Sequence, residues 1–160
     1  MDFEIVDIEK DSETQAIIGH AGFIKSVEDL YEAVASSVPK VRFGIAFCEA
    51  SGKRLVRSEG NDESLRKLAE KNAMAVGAGH SFIILMKDAY PINVANRIKA
   101  VDEVSRVMCA TANPIQVAVV KTAKGRAIVG IVDGEQPLGV EGDDDRKERM
   151  ELLRKIGYKL

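Results

Sequence analysis

The stretch Gly79-His80-Ser81-Phe82-Ile83-Ile84-Leu85-Met86-Lys87-Asp88 decides the fold. Phe82 to Met86 are five consecutive apolar residues between polar flanks. The run is too short for a buried helix and fits a strand covered on both faces. Such a strand needs cover on either side.

Working outward, the flanking segments supply that cover. Before it, Leu65, Leu68, Ala69, Ala73 and Val76 recur at helical spacing. Asn61 or Asp62 offers an N-cap, and Gly77 and Gly79 end the helix as a left-handed cap does. After it, Pro91 sits at a helix start, and Val94, Ala95, Ile98 and Val101 form a second apolar stripe. Val41 to Phe47 reads as a central strand, followed by the turn Ala50-Ser51-Gly52-Lys53 and a returning strand over 54–58. Upstream, strands are predicted over 3–8 and 15–18. A helix follows from Ser26, where Ser26 and Asp29 have capping-box spacing, and Pro39 closes it. Downstream, Val104 to Cys109, Ile115 to Val120 and Ala127 to Val132 read as strands, the last two joined by the turn Ala123-Lys124-Gly125-Arg126. A polar loop over 134–142 leads to a last helix. Asp143, Asp144 and Asp145 form its acidic first turn, and Met150, Leu153 and Ile156 continue it.

The order is thus ββα, ββα, βα, βββ, α. Helices alternating with strands and then giving way to hairpins predict an α/β (α+β) fold. The expectation is one domain over residues 1–160, with a mixed β-sheet and helices packed on it. A length of 160 residues with 46% apolar and 30% charged residues suits one core.

Composition also narrows the function. A formal charge of −2, no tryptophan and 5% aromatic residues give no basis for a nucleic-acid surface. No run approaches the ~20 apolar residues of a membrane span, and the acidic, alternating N-terminus is unlike a signal peptide. A cytoplasmic protein with no membrane partner is expected. Cys48 and Cys109 then read as buried free thiols. Scarce glutamine and abundant charge match a heat-adapted source.

Phosphate-binding loops of the G-x-x-x-x-G-K-[ST] kind are absent, as are the G-x-S-x-G and H-E-x-x-H motifs. Three polar segments remain as candidate sites. In the first, Glu49 to Asn61, the cations Lys53, Arg54 and Arg57 lie beside Ser51 and Gly52. This is either a solvated hairpin or a loop presenting cations and backbone N–H groups to phosphate. The second flanks the apolar strand. His80 at its start can exchange a proton or carry a phosphoryl group, or can simply close the preceding helix. Asp88 at its end has the chemistry of a general base, and Lys87 that of a phosphate partner. Seven strand residues span about 23 Å, so the two ends serve one small site only if the chain bends or a neighbouring subunit joins them. The third, Cys109-Ala110-Thr111-Ala112-Asn113-Pro114, is either an Asn-Pro turn or a polar loop that reads a base or ribose through Thr111 and Asn113.

Taken together, FGIAFCEASGKRLVRSEGND, GHSFIILMKDAYPINV and CATANP, with GIVDG and the terminal RKIGYKL, resemble the adenosine-specific kinases, a family of small archaeal and bacterial proteins. The resemblance runs from FEIVDIEK to the last residue. It implies a compact α/β subunit assembled as a homotrimer, binding adenosine or AMP and transferring a phosphoryl group. It also implies a histidine that carries phosphate, which maps to His80. The nucleotide would lie near Glu49, Ser51, Lys53, Arg54, Arg57, Thr111 and Asn113. In-line transfer would draw on Asp88 as base and on Lys53, Arg54, Arg57 or Lys87 as cations, with ATP or another phosphate donor and Mg²⁺. A nucleotide sensor without turnover is the other reading. The resemblance departs at Ile18-Gly19-His20-Ala21-Gly22-Phe23: the family pattern has a histidine directly ahead of that phenylalanine. Here Gly22 holds the place, and His20, two residues earlier, reads by itself as a surface or strand-end residue.

Overall fold

The computed structural model describes all 160 residues. The strands are β1 (Asp2–Asp7), β2 (Gln15–Ala21), β3 (Arg42–Cys48), β4 (Val56–Gly60), β5 (Ser81–Lys87), β6 (Val104–Thr111), β7 (Ile115–Lys121) and β8 (Arg126–Asp133). The helices are α1 (Ser26–Ala35), α2 (Glu63–Val76), α3 (Pro91–Lys99) and α4 (Asp143–Lys155). The α/β class holds, with helices packed on sheet. The strands, however, divide between two sheets, β4-β3-β5-β2-β6 and β1-β7-β8, and every strand pairing is antiparallel. The alternation of strands and helices suggested parallel neighbours. The reason it misleads is visible in the strand order. Each helical crossover, β2-α1-β3, β4-α2-β5 and β5-α3-β6, skips one position, and a strand of opposite direction fills the gap.

β5 is the centre of the larger sheet, and its apolar run is buried on both faces. Ile83 and Leu85 face one core, shared with Ala69, Ala73 and Val76 of α2 and with Val117 and Val119 of the smaller sheet. Phe82, Ile84 and Met86 face the other, shared with Leu30 and Val34 of α1 and Val94 and Ile98 of α3. The molecule is therefore layered: α1 and α3, the five-stranded sheet, then α2 beside the three-stranded sheet. Gly44 lets α2 lie directly on β3, because a Cβ there would run into the backbone of Leu65 and Arg66.

Local signals are met at most ends. The Asp62 carboxylate accepts from the Leu65 N–H at 3.0 Å, capping α2, and Gly77 ends it at φ 59°. The Ser26–Asp29 capping box does not form. Ser26 is already inside α1, and its hydroxyl donates back to the Phe23 carbonyl at 2.7 Å. The short Asp29 carboxylate pairs instead with Lys25 at 2.6 Å. Cys48 and Cys109 are buried free thiols, and burial pushes the Cys109 thiol up to about 11. α4 has no buried residue; Asp145 closes its first turn by accepting from the Gly142 N–H at 2.8 Å. No helix is long and apolar enough to cross a membrane.

Candidate active site

The antiparallel register sorts the candidate residues between the two ends of the larger sheet. At one end lie the starts of β5, β4 and β6 and the ends of β2 and β3. His80 sits here, immediately before β5, in the left-handed region at φ 62°. That conformation is uncommon for a residue with a Cβ and is held by its neighbours. The His80 N–H donates to the Cys48 carbonyl at 2.7 Å, and the His80 carbonyl accepts from the Ala21 N–H at 2.9 Å. The turn Ala78-Gly79-His80-Ser81 is closed by the Ser81 hydroxyl donating to the Ala78 carbonyl at 2.6 Å. The backbone is thus tied to the strands on both sides, and the imidazole is aimed rather than free.

The ring stacks on Phe47 with centroids 5.9 Å apart and is 34% exposed. Its Nε2 faces a Glu49 carboxylate oxygen at 3.7 Å, and Glu49 in turn pairs with Arg57 at 2.9 Å. The Ala50 N–H, at 2.9 Å, and the Arg57 guanidinium hold the Glu49 carboxyl below its usual range. Arg57 also donates to the Ile24 carbonyl at 3.2 Å. A cleft of about 630 Å³ opens beside this chain of contacts, lined by Gly22, Phe23, Glu49, Arg57, His80 and the loop over 51–55. Arg54, at φ 50°, turns that loop. Ser51, Lys53 and Arg54 are exposed, and neither cation has an ion-pair partner.

The other end of the sheet holds the remaining candidates. Lys87 donates to Asp11 at 2.6 Å, which holds the Asp11 carboxyl well below the usual range. Asp88, at φ 61°, pairs with Arg42 at 2.7 Å. The Thr111 hydroxyl and the Asn113 amide both donate to one Asp133 oxygen, at 2.8 and 3.0 Å. Glu49, Ser51, Lys53, Arg54, Arg57 and His80 therefore share a cleft, while Lys87, Asp88, Thr111 and Asn113 lie a strand's length away in the same subunit.

His20 is the residue that the sequence did not place. It is not isolated at a strand end: its ring lies 5.8 Å from that of His80, edge-on. Its Nδ1 contacts the Ser105 hydroxyl at 2.9 Å, and that hydroxyl donates to the His20 carbonyl at 3.2 Å. With its proton so engaged, Ser105 accepts from Nδ1–H, which leaves the His20 Nε2 as an acceptor. Burial, then His80 and Arg106, lower the His20 pKa. Gly22 also gains a meaning. A Cβ there would stand 3.4 Å from the His80 Nδ1, so the glycine keeps that nitrogen open. The only signal available beforehand was two histidines next to glycines; nothing showed that His20 would pair with Ser81 across the sheet.

A left-handed histidine backed by a carboxylate, beside unpaired cations, has the parts needed to handle a phosphoryl group. Comparison with known proteins agrees in kind. The family model for adenosine specific kinase matches residues 6–159. The crystal structure of PH1918 protein from Pyrococcus horikoshii OT3 superposes with a TM-score of 0.96 at 49% identity, covering 99% of this chain and 98% of that one. No curated protein matches the chain. With the family model spanning all but the terminal residues, the chain belongs to the adenosine-specific kinase family.

Proposed function

We propose that this protein binds adenosine and AMP in the His80 cleft and phosphorylates adenosine to AMP, with His80 as a phosphoryl carrier. The observation that carries the reading is the His80 imidazole, aimed by a constrained backbone, with Glu49 behind its Nε2. Glu49 favours Nε2–H and leaves the Nδ1 lone pair beside Gly22 as nucleophile. In the first step Nδ1 attacks the terminal phosphorus of ATP or another donor. The P–N bond forms, the bridging P–O bond breaks, and the electron pair leaves with the diphosphate. In the second, the adenosine 5′-hydroxyl attacks that phosphorus, the P–N bond breaks, and the hydroxyl proton ends on the released imidazole. Lys53 and Arg54 are free to neutralise phosphoryl oxygens. Mg²⁺ held mainly by donor phosphates fits a chain with no cluster of three acidic, histidine or cysteine ligands, Glu49 being the carboxylate at hand; it would supply charge neutralisation there.

The assembly is proposed to be a homotrimer. Phe3, Ile5 and Val132 are exposed on the smaller sheet, and no residue of α4 is fully buried within its own chain. A neighbour is also what would bring Lys87, Asp88, Thr111 and Asn113 to a His80 cleft. The sensor reading draws on one observation, the engagement of Lys87 and Asp88 in ion pairs remote from His80. Labelled phosphate passing from ATP to adenosine over many turnovers separates the two. His80→Asn is expected to lower the rate at least ~100-fold. Intact mass after ATP and Mg²⁺ should show an acid-labile phosphate on the parent and none on His80→Asn. A phosphate gained equally by the variant would remove His80 from the carrier role.

A further inference from the structure

Beside the turn at Gly79, a further cleft of about 430 Å³ is lined by residues of both sheets. Its walls include His20, Ser81, Ser105 and Arg106 from the larger sheet and Arg126 from the smaller. The register explains why these side chains converge. His20 is paired with Ser81 on one side and with Arg106 on the other, so the three project from one face. Ile18 and Ile83, two residues along the same strands, pack into the core that includes the smaller sheet, so that face looks toward β8. The register shifts between His20 and Ala21, and Ser105 is the unpaired residue of that bulge, its hydroxyl turned to His20. Arg106 is exposed and has no carboxylate partner, whereas Arg126 is paired with Glu4 at 3.0 Å. An unpaired guanidinium with a second guanidinium in the same concave site suits an oxyanion with several oxygens, while the Ser81 and Ser105 hydroxyls keep their protons on the Ala78 and His20 carbonyls. The cleft adjoins His80 through His20, whose ring is 5.8 Å away.

We infer that this second cleft is the donor subsite, where Arg106 holds the polyphosphate tail of the phosphoryl donor while the nucleoside occupies the cleft of Glu49 and Arg57. The inference rests on the phosphotransferase reading and adds to it a separate place for the donor. As the terminal phosphorus leaves for Nδ1 of His80, the bridging P–O bond breaks and its electron pair stays on the departing diphosphate. Arg106 is placed to neutralise the charge that develops there.

The probe is inorganic tripolyphosphate, titrated calorimetrically into the whole protein with and without saturating adenosine. The parent is expected to bind both ligands together. Arg106→Ala should weaken tripolyphosphate at least about tenfold and leave adenosine affinity unchanged, and Arg106→Lys should recover part of the loss. Orthophosphate should bind far more weakly than tripolyphosphate, which brings more charge and more acceptor oxygens to the Arg106 guanidinium. Tripolyphosphate that displaces adenosine, or that Arg106→Ala binds as well as the parent, overturns the subsite. Equal affinity for orthophosphate overturns the polyphosphate assignment. Absence of adenosine binding in the parent is a different failure, that of the phosphotransferase reading, and leaves the tripolyphosphate comparison decisive for the anion site.

Discussion

His80 combines two roles that normally conflict. Its φ of 62° suits glycine, and its side chain is what the chemistry needs. A non-glycine residue in this region costs about 1–2 kcal/mol, against which stands the stacking on Phe47. Asparagine tolerates the left-handed region better than most residues. His80→Gly and His80→Asn are therefore expected to melt within a few degrees of the parent while losing phosphoryl transfer. Thermal unfolding beside the turnover assay checks this, and a collapse in melting temperature for both variants would make His80 structural. His20 offers a pH test. Its folded pKa is lowered from the ordinary 6.5 by burial, His80 and Arg106, so the unfolded chain binds more protons in the window just below 6.5. Stability contributed by neutral His20 is present above that value and is lost as pH falls through it. His20→Gln should flatten the fall in melting temperature between about pH 7 and 5. Identical slopes for parent and variant would show that His20 is not the titrating group.

At the scale of elements, α2 links the core to the site. It packs on β3 through the gap at Gly44, and its C-terminal cap Gly77 begins the turn that presents His80. Its N-terminus depends on Asp62, whose carboxylate accepts from the Leu65 N–H at 3.0 Å and lies 3.6 Å from Arg42. Asp62→Ala should cost about 1 kcal/mol and lower the melting temperature by roughly 2–4 °C for a domain of this size. Calorimetry reads both. Because the cap is at the end of α2 remote from His80, adenosine affinity should not change. A loss of affinity without a loss of stability would show that the far end of the sheet takes part in binding.

The whole molecule leaves apolar surface uncovered. Phe3 and Ile5 on β1, Val132 on β8, and Met150, Leu152 and Ile156 on and just after α4 are exposed. Scattered exposed apolar residues are ordinary, but a helix with no fully buried side chain and only Leu153 half-buried gains little from packing in its own subunit. Sedimentation equilibrium should give three times the 17.4 kDa chain mass, and removing residues 134–160 should shift the protein toward the monomer. A full-length chain that sediments at 17.4 kDa at micromolar concentration would sink the trimer.

Much of this was legible in the residues. The apolar run Phe82–Met86 announced a strand buried on both faces, because two-sided burial requires unbroken apolar sequence. The pair Asn61 and Asp62 at one end and Gly77 with Gly79 at the other marked α2, and the structure caps it with Asp62 and Gly77, because capping is settled by a few adjacent atoms. The hairpin after Lys121 followed from its turn residues for the same reason. The first candidate loop and His80 stood out because polar residues interrupt apolar periodicity there. The antiparallel order of the larger sheet was not legible, since a helical crossover does not record how many strands it passes over. Nor was the encounter of His20 with His80, Ser105 and Arg106. Those contacts join β2, β5 and β6 across the sheet, and they depend on register and on one bulge. The sequence alone determined the strand and helix segments and the chemistry available at their ends, because these are local properties of the chain. Which ends meet was decided only by tertiary structure, because a pairing between distant strands is chosen by burial of the whole sheet and not by the residues that it happens to bring together.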